Sequence, residues 1–175
     1  MPIELIPEWQ LTIEDEAQIA ALLARCFDTD FGGRSYFKQR HHLRLLWRDE
    51  GHIIGHMALT YRAVRLGAKL VDIVGLAEVS CAPEHRGKGI ASALLQRAIA
   101  EAKASPAAFF LLFGSAALYA GAGCRPAGNP ITYVEMLGAR TGAVKSEPAE
   151  TLQVLALRDT GWDGKAPLDL LGTLF

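Results

Sequence analysis

The chain has little cysteine and no surplus of charge of either sign, and each shortage excludes a class of function. Cys26, Cys81 and Cys124 are the three cysteines among 175 residues. They lie far apart and form no CxxC pair, so neither a disulfide scaffold nor a zinc module is indicated. Lys and Arg number 18 and Asp and Glu 19, a net charge of −1. A broad nucleic-acid or polyanion surface needs a basic excess that is missing here; a local basic site for one phosphate group is compatible. The opening Met1-Pro2-Ile3-Glu4 has no basic start followed by an apolar stretch, so no signal peptide is read there. The long uncharged run, 21 residues between Lys103 and Arg125, is broken by Pro106, Gly114, Ser115, Gly121 and Gly123. It reads as a buried strand followed by a small-residue helix, not a membrane span. The expectation is a cytoplasmic protein of a reducing compartment, without a membrane or nucleic-acid partner.

What is present is apolar: half the residues, with 21% charged. That suffices for a core and excludes a disordered chain. Length predicts one domain, 1–175, with a core of about 1–158 and a C-terminal extension 159–175. A first strand is read at 3–6. Thr12 caps a helix with Asp15 in its first turn, and Ile19, Leu22, Leu23, Cys26 and Phe27 recur at helical spacing. A loop (28–33) and a short helix (35–41) follow. Alternating Leu43, Leu45 and Trp47, then Asp49-Glu50-Gly51, predict a hairpin whose return strand covers 53–64. Segment 70–81 is the most strand-like. Val71, Ile73, Gly75, Ala77, Val79 and Cys81 make one face; Leu70, Asp72, Val74, Leu76, Glu78 and Ser80 make the other. Coverage on both faces fits this pattern.

A helix then opens at Arg86-Gly87-Lys88-Gly89, with Ile90, Leu94, Leu95, Ala98, Ile99 and Ala102 on its core face. A continuous apolar strand at 109–113, a helix at 115–122 closed by Gly123, and strands at 131–137 and 152–157 joined by a polar loop complete the reading. The tail, 161–175, adds an edge strand. The class is α+β, a mixed sheet with a parallel pair at its centre.

The turn Arg86-Gly87-Lys88-Gly89-Ile90-Ala91 carries the strongest chemistry. The first amides of a helix lack internal partners and carry the positive end of its dipole, so a phosphate sits there readily. Gly87, Gly89 and Ala91 keep the approach open, and Arg86 and Lys88 add charge. A P-loop is excluded, because Gly87-Lys88 is followed by Gly89 and position 82 is Ala. A dinucleotide fingerprint is excluded too: the third glycine and the acidic residue at the next strand's end are missing.

Arg86-x-x-Gly89-x-Ala91, preceded by Val79-x-Cys81-x-Pro83, resembles the acetyl-CoA signature of the GNAT superfamily of N-acetyltransferases. Ala116-x-Leu118-Tyr119-x-x-x-Gly123-Cys124 resembles that superfamily's tyrosine helix, with one spacer fewer and Cys124 in place of an aromatic. Residues 45–89 and the tail around Trp162 and Leu168 are similar to nodulation-type N-acyltransferases and aminoglycoside 2′-N-acetyltransferases. The resemblance implies a GNAT fold, a mixed central sheet with a splayed parallel pair and flanking helices. It implies acetyl-CoA as co-substrate and no metal. Val79 and Cys81 would bond the pantetheine arm through their backbones; Arg86, Gly87, Lys88, Gly89, Ile90 and Ala91 would hold the pyrophosphate. A primary amine of a small molecule would attack the thioester directly in a ternary complex. A longer acyl donor, or a non-catalytic acyl-CoA sensor, is the alternative. A homodimer through C-terminal strands is implied as well.

Two proton transfers need residues. Tyr119 is placed by the resemblance to protonate the departing thiolate; a core tyrosine bonded to a carbonyl is the other reading. Glu78, near the splay, suits a base with a raised pKa, or else a salt bridge to Arg62 or Arg65. Asp28, Asp30 and Phe31 after the first helix, with Asp163 and Asp169 in the tail, are candidates to receive a cationic amine, or are solvated turn residues. Cys81 and Cys124 have no His and Asp set arranged around them in sequence and suit buried thiols. His41-His42, His52 and His56 invite a metal reading, but positions 52 and 56 on a strand are about 13 Å apart.

Overall fold

A computed structural model describes residues 3–175. The chain enters through strand β1 (Glu4–Pro7) and helix α1 (Ile13–Cys26). α1 starts where Thr12 and Asp15 cap each other: Thr12 Oγ1 accepts from Asp15 N–H, and Asp15 Oδ2 accepts from Thr12 N–H, both at 3.0 Å. Such a capping box stabilises a helix start by about 1 kcal/mol. Strands β2 (Leu43–Asp49), β3 (His52–Leu66) and β4 (Lys69–Cys81) form a meander. Its first turn has Glu50 and Gly51 both at positive φ, 47° and 83°, the geometry that matches strand twist. Helix α2 (Ile90–Ala104), strand β5 (Phe109–Phe113) and the short helix α3 (Ala117–Gly121) follow. β6 (Arg125–Pro126), β7 (Pro130–Leu137), β8 (Arg140–Pro148), β9 (Leu152–Ala156) and β10 (Leu168–Asp169) complete the sheet.

The strand order is β6-β9-β5-β4-β3-β10-β7-β8, with β2 on the first half of β3 and β1 on β2. β4 with β5 and β7 with β10 are parallel. Two apolar clusters cover the sheet. One joins α1 and α2 to Val74, Leu76, Phe110 and Leu112; the other joins Ile73, Phe109 and Leu111 to Val64, Leu168 and Leu170. The six α2 residues predicted to face the core are the six that are buried.

Five local expectations are corrected. Residues 35–41 form no helix, because tertiary partners take the backbone groups a helix needs. Phe37 N–H donates to Glu78 Oε1 at 2.6 Å, and Ser35 O accepts from Arg44 Nη1 at 2.9 Å. The helix expected at 115–122 is only five residues long; it has no side-chain cap at Ala116 and is closed by Gly123 at φ 90°. The polar loop between 137 and 152 contains β8, an edge strand paired with β7 and mostly exposed on both faces, which hides its periodicity. The tail strand β10 is not at an edge: it lies between β3 and β7.

The fifth correction concerns the central strand. His56 pairs with Ser80 and Ala58 with Ala77, so Met57 stands opposite both Glu78 and Val79. This bulge, with Glu78 at φ 54°, shifts the side-chain alternation by one. Val79 and Cys81 therefore pack with the cluster of Val74 and Leu76, not with Val71 and Ile73.

Candidate active site

β4 and β5 pair over only four residues, Ile73–Leu76 against Phe109–Leu112. Beyond Leu76, β4 stays with β3 alone, while β5, paired with β9 along its whole length, ends one residue later at Phe113. The two strands splay, and the bulge at Glu78 and Val79 sharpens the divergence. The parting leaves the backbone of Val79 without a β5 partner. Cys81 O lies at the far end of β4, where it accepts from Cys26 Sγ at 3.3 Å and from Arg86 Nε at 3.4 Å.

The glycine turn follows directly. Gly87 and Gly89 have φ of 76° and 82°, with open space where a Cβ would stand. Any other residue would be strained at both positions. Gly89 is the N-cap of α2 and offers no side chain to its first amides. The first i to i−4 bond is Ala93 N–H to Gly89 O at 3.0 Å, so the N–H groups of Ile90, Ala91 and Ser92 have no helical partner. Arg86 and Lys88 are exposed beside them. A nest of free amides at a 15-residue helix is suited to a diphosphate.

A cavity of about 330 Å³ opens on the same splay. Glu78, Val79 and Tyr119 line it together with Phe31, His41 and Thr60. Tyr119 is held by the small residue opposite it: a Cβ on Gly114 would come within 2.8 Å of its ring. Burial, with the neighbouring Cys124, pushes the Tyr119 phenol up, which keeps it a proton donor. Among the described residues its hydroxyl has no protein hydrogen-bond partner, so the alternative of a tyrosine tied to a core carbonyl is not what is seen.

Glu78 departs from expectation in two ways. Its partner is Arg44, with Nη1 3.0 Å from Oε2, and neither Arg62 nor Arg65. Its pKa also moves the other way. Burial opposes ionisation, but His41 and Arg44 outweigh it and hold the carboxyl below the ordinary carboxylate value. Oε1 accepts from Phe37 N–H and stands 3.1 Å from His41 Nε2.

The acidic acceptor candidates do not gather at the cavity. Asp30 Oδ1 accepts from Gly32 N–H at 2.6 Å, Asp163 Oδ1 from Lys165 N–H at 3.0 Å, and Asp169 Oδ1 from Leu171 N–H at 2.9 Å. These are turn-forming bonds. Asp28 is exposed, and of the five candidates Phe31 alone lines the cavity, its ring between those of Phe27 and Phe37 at 5.5 and 5.2 Å. The thiols of Cys81 and Cys124 are both pushed up by burial, which disfavours a nucleophilic thiolate. Among the described residues no group of three His, Cys, Asp or Glu is placed to hold a metal ion, and no helix is long and apolar enough to cross a membrane.

Sequence reasoning missed several lining residues. Arg62 donates to Thr173 O at 2.9 Å and to Leu170 O, and so ties the tail to the cavity wall. Phe175 packs on Gly75 and stands 5.3 Å from the Phe113 ring. No local pattern marks Thr173, Leu174 and Phe175 as part of the site. Arg44 had a signal: a charge set within the apolar run 43–47.

Residues 10–127 match the sequence profile described as an Acetyltransferase (GNAT) domain. Among solved structures, the fold resembles a GNAT family acetyltransferase from Brucella melitensis in complex with acetyl-CoA, with a TM-score of 0.60, 18% identity and 95% of each chain covered. It also resembles a GNAT family N-acetyltransferase from Escherichia coli in complex with CoA (TM-score 0.63, 20% identity, 95% of this chain and 88% of that one). A third is the ribosomal-protein-S18-alanine N-acetyltransferase from Escherichia coli (TM-score 0.60, 16% identity, 91% and 97%). No curated protein matches. At these identities the structural likenesses carry the fold, a mixed sheet with parallel pairs and few helices.

Proposed function

Because the chain belongs to the GNAT acetyltransferase family, we propose that it transfers an acetyl group from acetyl-CoA to a primary amine of a small molecule by direct attack in a ternary complex. The observation that carries this reading is the splay of β4 from β5, with the glycine turn at one end and the Glu78–Tyr119 cavity on its flank. The amides of Ile90 and Ala91, with Gly87, Gly89, Arg86 and Lys88, would hold the diphosphate. Val79 and Cys81 would bond the pantetheine arm as an added strand. No metal enters this chemistry. Aligning both reactants is the main device, and such positioning can be worth about 7–11 kcal/mol.

The attacking amine must first lose a proton, and the thiolate that leaves gains one. Tyr119 fits the second task, as a buried phenol without a hydrogen-bond partner among the described residues. Glu78 fits the first as a permanent carboxylate that draws positive charge to the cavity, not as a raised-pKa base. The largely apolar and aromatic lining, whose cationic members are Lys38, Arg40 and Arg62, with the four candidate aspartates elsewhere, favours a small amine with an apolar body over a polycation such as an aminoglycoside. We read the described residues as one domain, since β10 and Phe175 belong to the sheet and the cavity. Its localisation is proposed as cytoplasmic. A homodimer is a further proposal, tested by sedimentation.

The test is thiol release with acetyl-CoA against a panel of primary amines, alongside long-chain acyl-CoA donors. Turnover with acetyl-CoA supports the reading. Preference for a long acyl chain favours the N-acyltransferase alternative. Coenzyme A that raises the melting temperature while no amine gives turnover favours a sensor.

A further inference from the structure

We propose that Thr60, His41 and Glu78 form a proton relay beside the acceptor end of the cavity, in which the Thr60 hydroxyl takes a proton from the substrate ammonium while passing its own to His41. The inference rests on the transfer reading above and names the route by which the amine is deprotonated.

Three separate segments bring these groups together: His41 from the loop before β2, Thr60 from β3 and Glu78 from the bulge of β4. All three line the cavity. His41 Nδ1 is 3.0 Å from Thr60 Oγ1, and Nε2 is 3.1 Å from Glu78 Oε1. An ionised carboxylate accepts only, so Nε2 carries the hydrogen and Nδ1 is left with a lone pair for the Thr60 hydroxyl. That is the tautomer a relay needs. The Nε2 contact is close but not aligned, and Nε2 has no hydrogen-bond partner in line. Its intended acceptor, Oε1, already takes the Phe37 N–H at 2.6 Å. The Nε2 side of the imidazole is thus held loosely.

The proton inventory closes. The ammonium N–H bond breaks, the proton joins Thr60 Oγ1, and the former Thr60 proton joins His41 Nδ1. The freed amine lone pair attacks the thioester carbonyl, the C–S bond breaks, and the second nitrogen proton goes to the thiolate side, where Tyr119 stands. His41 later returns its proton to solvent. The other charged or titratable groups about His41 are Arg44 on β2, His56 and Arg62 on β3, Lys38 and Arg40 in its own loop, and Tyr119 on α3. Arg44 and Arg40 are paired with carboxylates, and His56 is neutral, lowered by burial to about 3. Lys38, lowered by burial, is the competing group, and Lys38→Met is its control.

The experiment has two arms. In the first, 15N NMR of imidazole-labelled protein, with His41 assigned by its loss in His41→Gln, reports the tautomer. Hydrogen on Nε2 supports the relay; hydrogen on Nδ1 overturns it, whatever the acceptor proves to be. In the second, kcat/KM is followed against pH by thiol release for wild type, Thr60→Val, Thr60→Ser, His41→Gln and Lys38→Met. Thr60→Val and His41→Gln are expected to lose about 10²-fold at neutral pH. Their acid limbs should move up to the pKa of the free amine, about 10 for an alkyl amine, with coenzyme A binding unchanged. Thr60→Ser keeps the profile, and Lys38→Met leaves the limb in place. Losses equal at every pH, or an unmoved limb, overturn the relay alone. A wild type that binds coenzyme A and acetylates no amine overturns the transfer reading beneath it.

Discussion

Arg44 and Glu78 meet in the interior, with Arg44 Nη1 3.0 Å from Glu78 Oε2 and the arginine wholly buried. The same guanidinium donates to Glu8 through Nε at 2.7 Å and Nη2 at 3.0 Å, and to Ser35 O at 2.9 Å. One side chain therefore ties the start of the chain, the loop of His41 and the bulged β4. Removing it leaves Glu8 with Arg40 alone as a cationic partner and Glu78 with only the Phe37 N–H and His41. Arg44→Met should destabilise the fold by about 3–5 kcal/mol, the usual cost of breaking a buried ion pair on one side. Urea unfolding at neutral pH measures this.

His56 is buried beside that pair, and its pKa is lowered from 6.5 to about 3, first by burial and then by Arg44. The unfolded chain takes up a proton near 6.5 and the folded one only near 3. Between these values the unfolded state holds more protons, so stability falls as pH drops. Glu78, whose folded carboxyl lies below its ordinary value of 4.5, acts in the same sense: its contribution is present above that value and lost below it. Unfolding midpoints at several pH values below 6.5 should fall steadily, and His56→Gln should flatten the decline.

Tyr119→Phe removes the hydroxyl and leaves the ring that packs on Gly114. The expected result is a fall in kcat of about 10²-fold, typical of a lost general acid, with no change in coenzyme A affinity. Steady-state kinetics with calorimetry on the same variant separates the two. Unchanged kcat would assign the thiolate proton to water.

The parts of the fold written in local periodicity were legible. The core face of α2 and the Thr12 cap follow from spacing alone, and the parallel β4–β5 pair from two strands joined by that helix. The glycine turn was legible for the same reason, since a conformation that only glycine adopts freely leaves a mark at Gly87 and Gly89. What the sequence hid lies in pairings between distant segments. Nothing around Glu78 announces a bulge, so its neighbours were assigned to the wrong faces. Arg44 was the unseen ion-pair partner, and His41 together with Arg44 reversed the pKa shift that burial alone would give. Asp30, Asp163 and Asp169 looked like amine receptors because a turn-forming carboxylate and a ligand-binding one are the same letter. His41 was weighed only as a metal ligand, because Thr60 and Glu78 reach it through tertiary contacts.

The central claim is that the amides at Gly87, Gly89 and the start of α2 grip a diphosphate. Calorimetric titration of the purified protein with coenzyme A tests it most directly, with Gly89→Glu as the variant, because a carboxylate there would repel the ligand. The account predicts a saturable heat for wild type and at least about a tenfold weaker affinity for Gly89→Glu, equivalent to about 1.4 kcal/mol. No heat with wild type, or equal affinity in the variant, would contradict it.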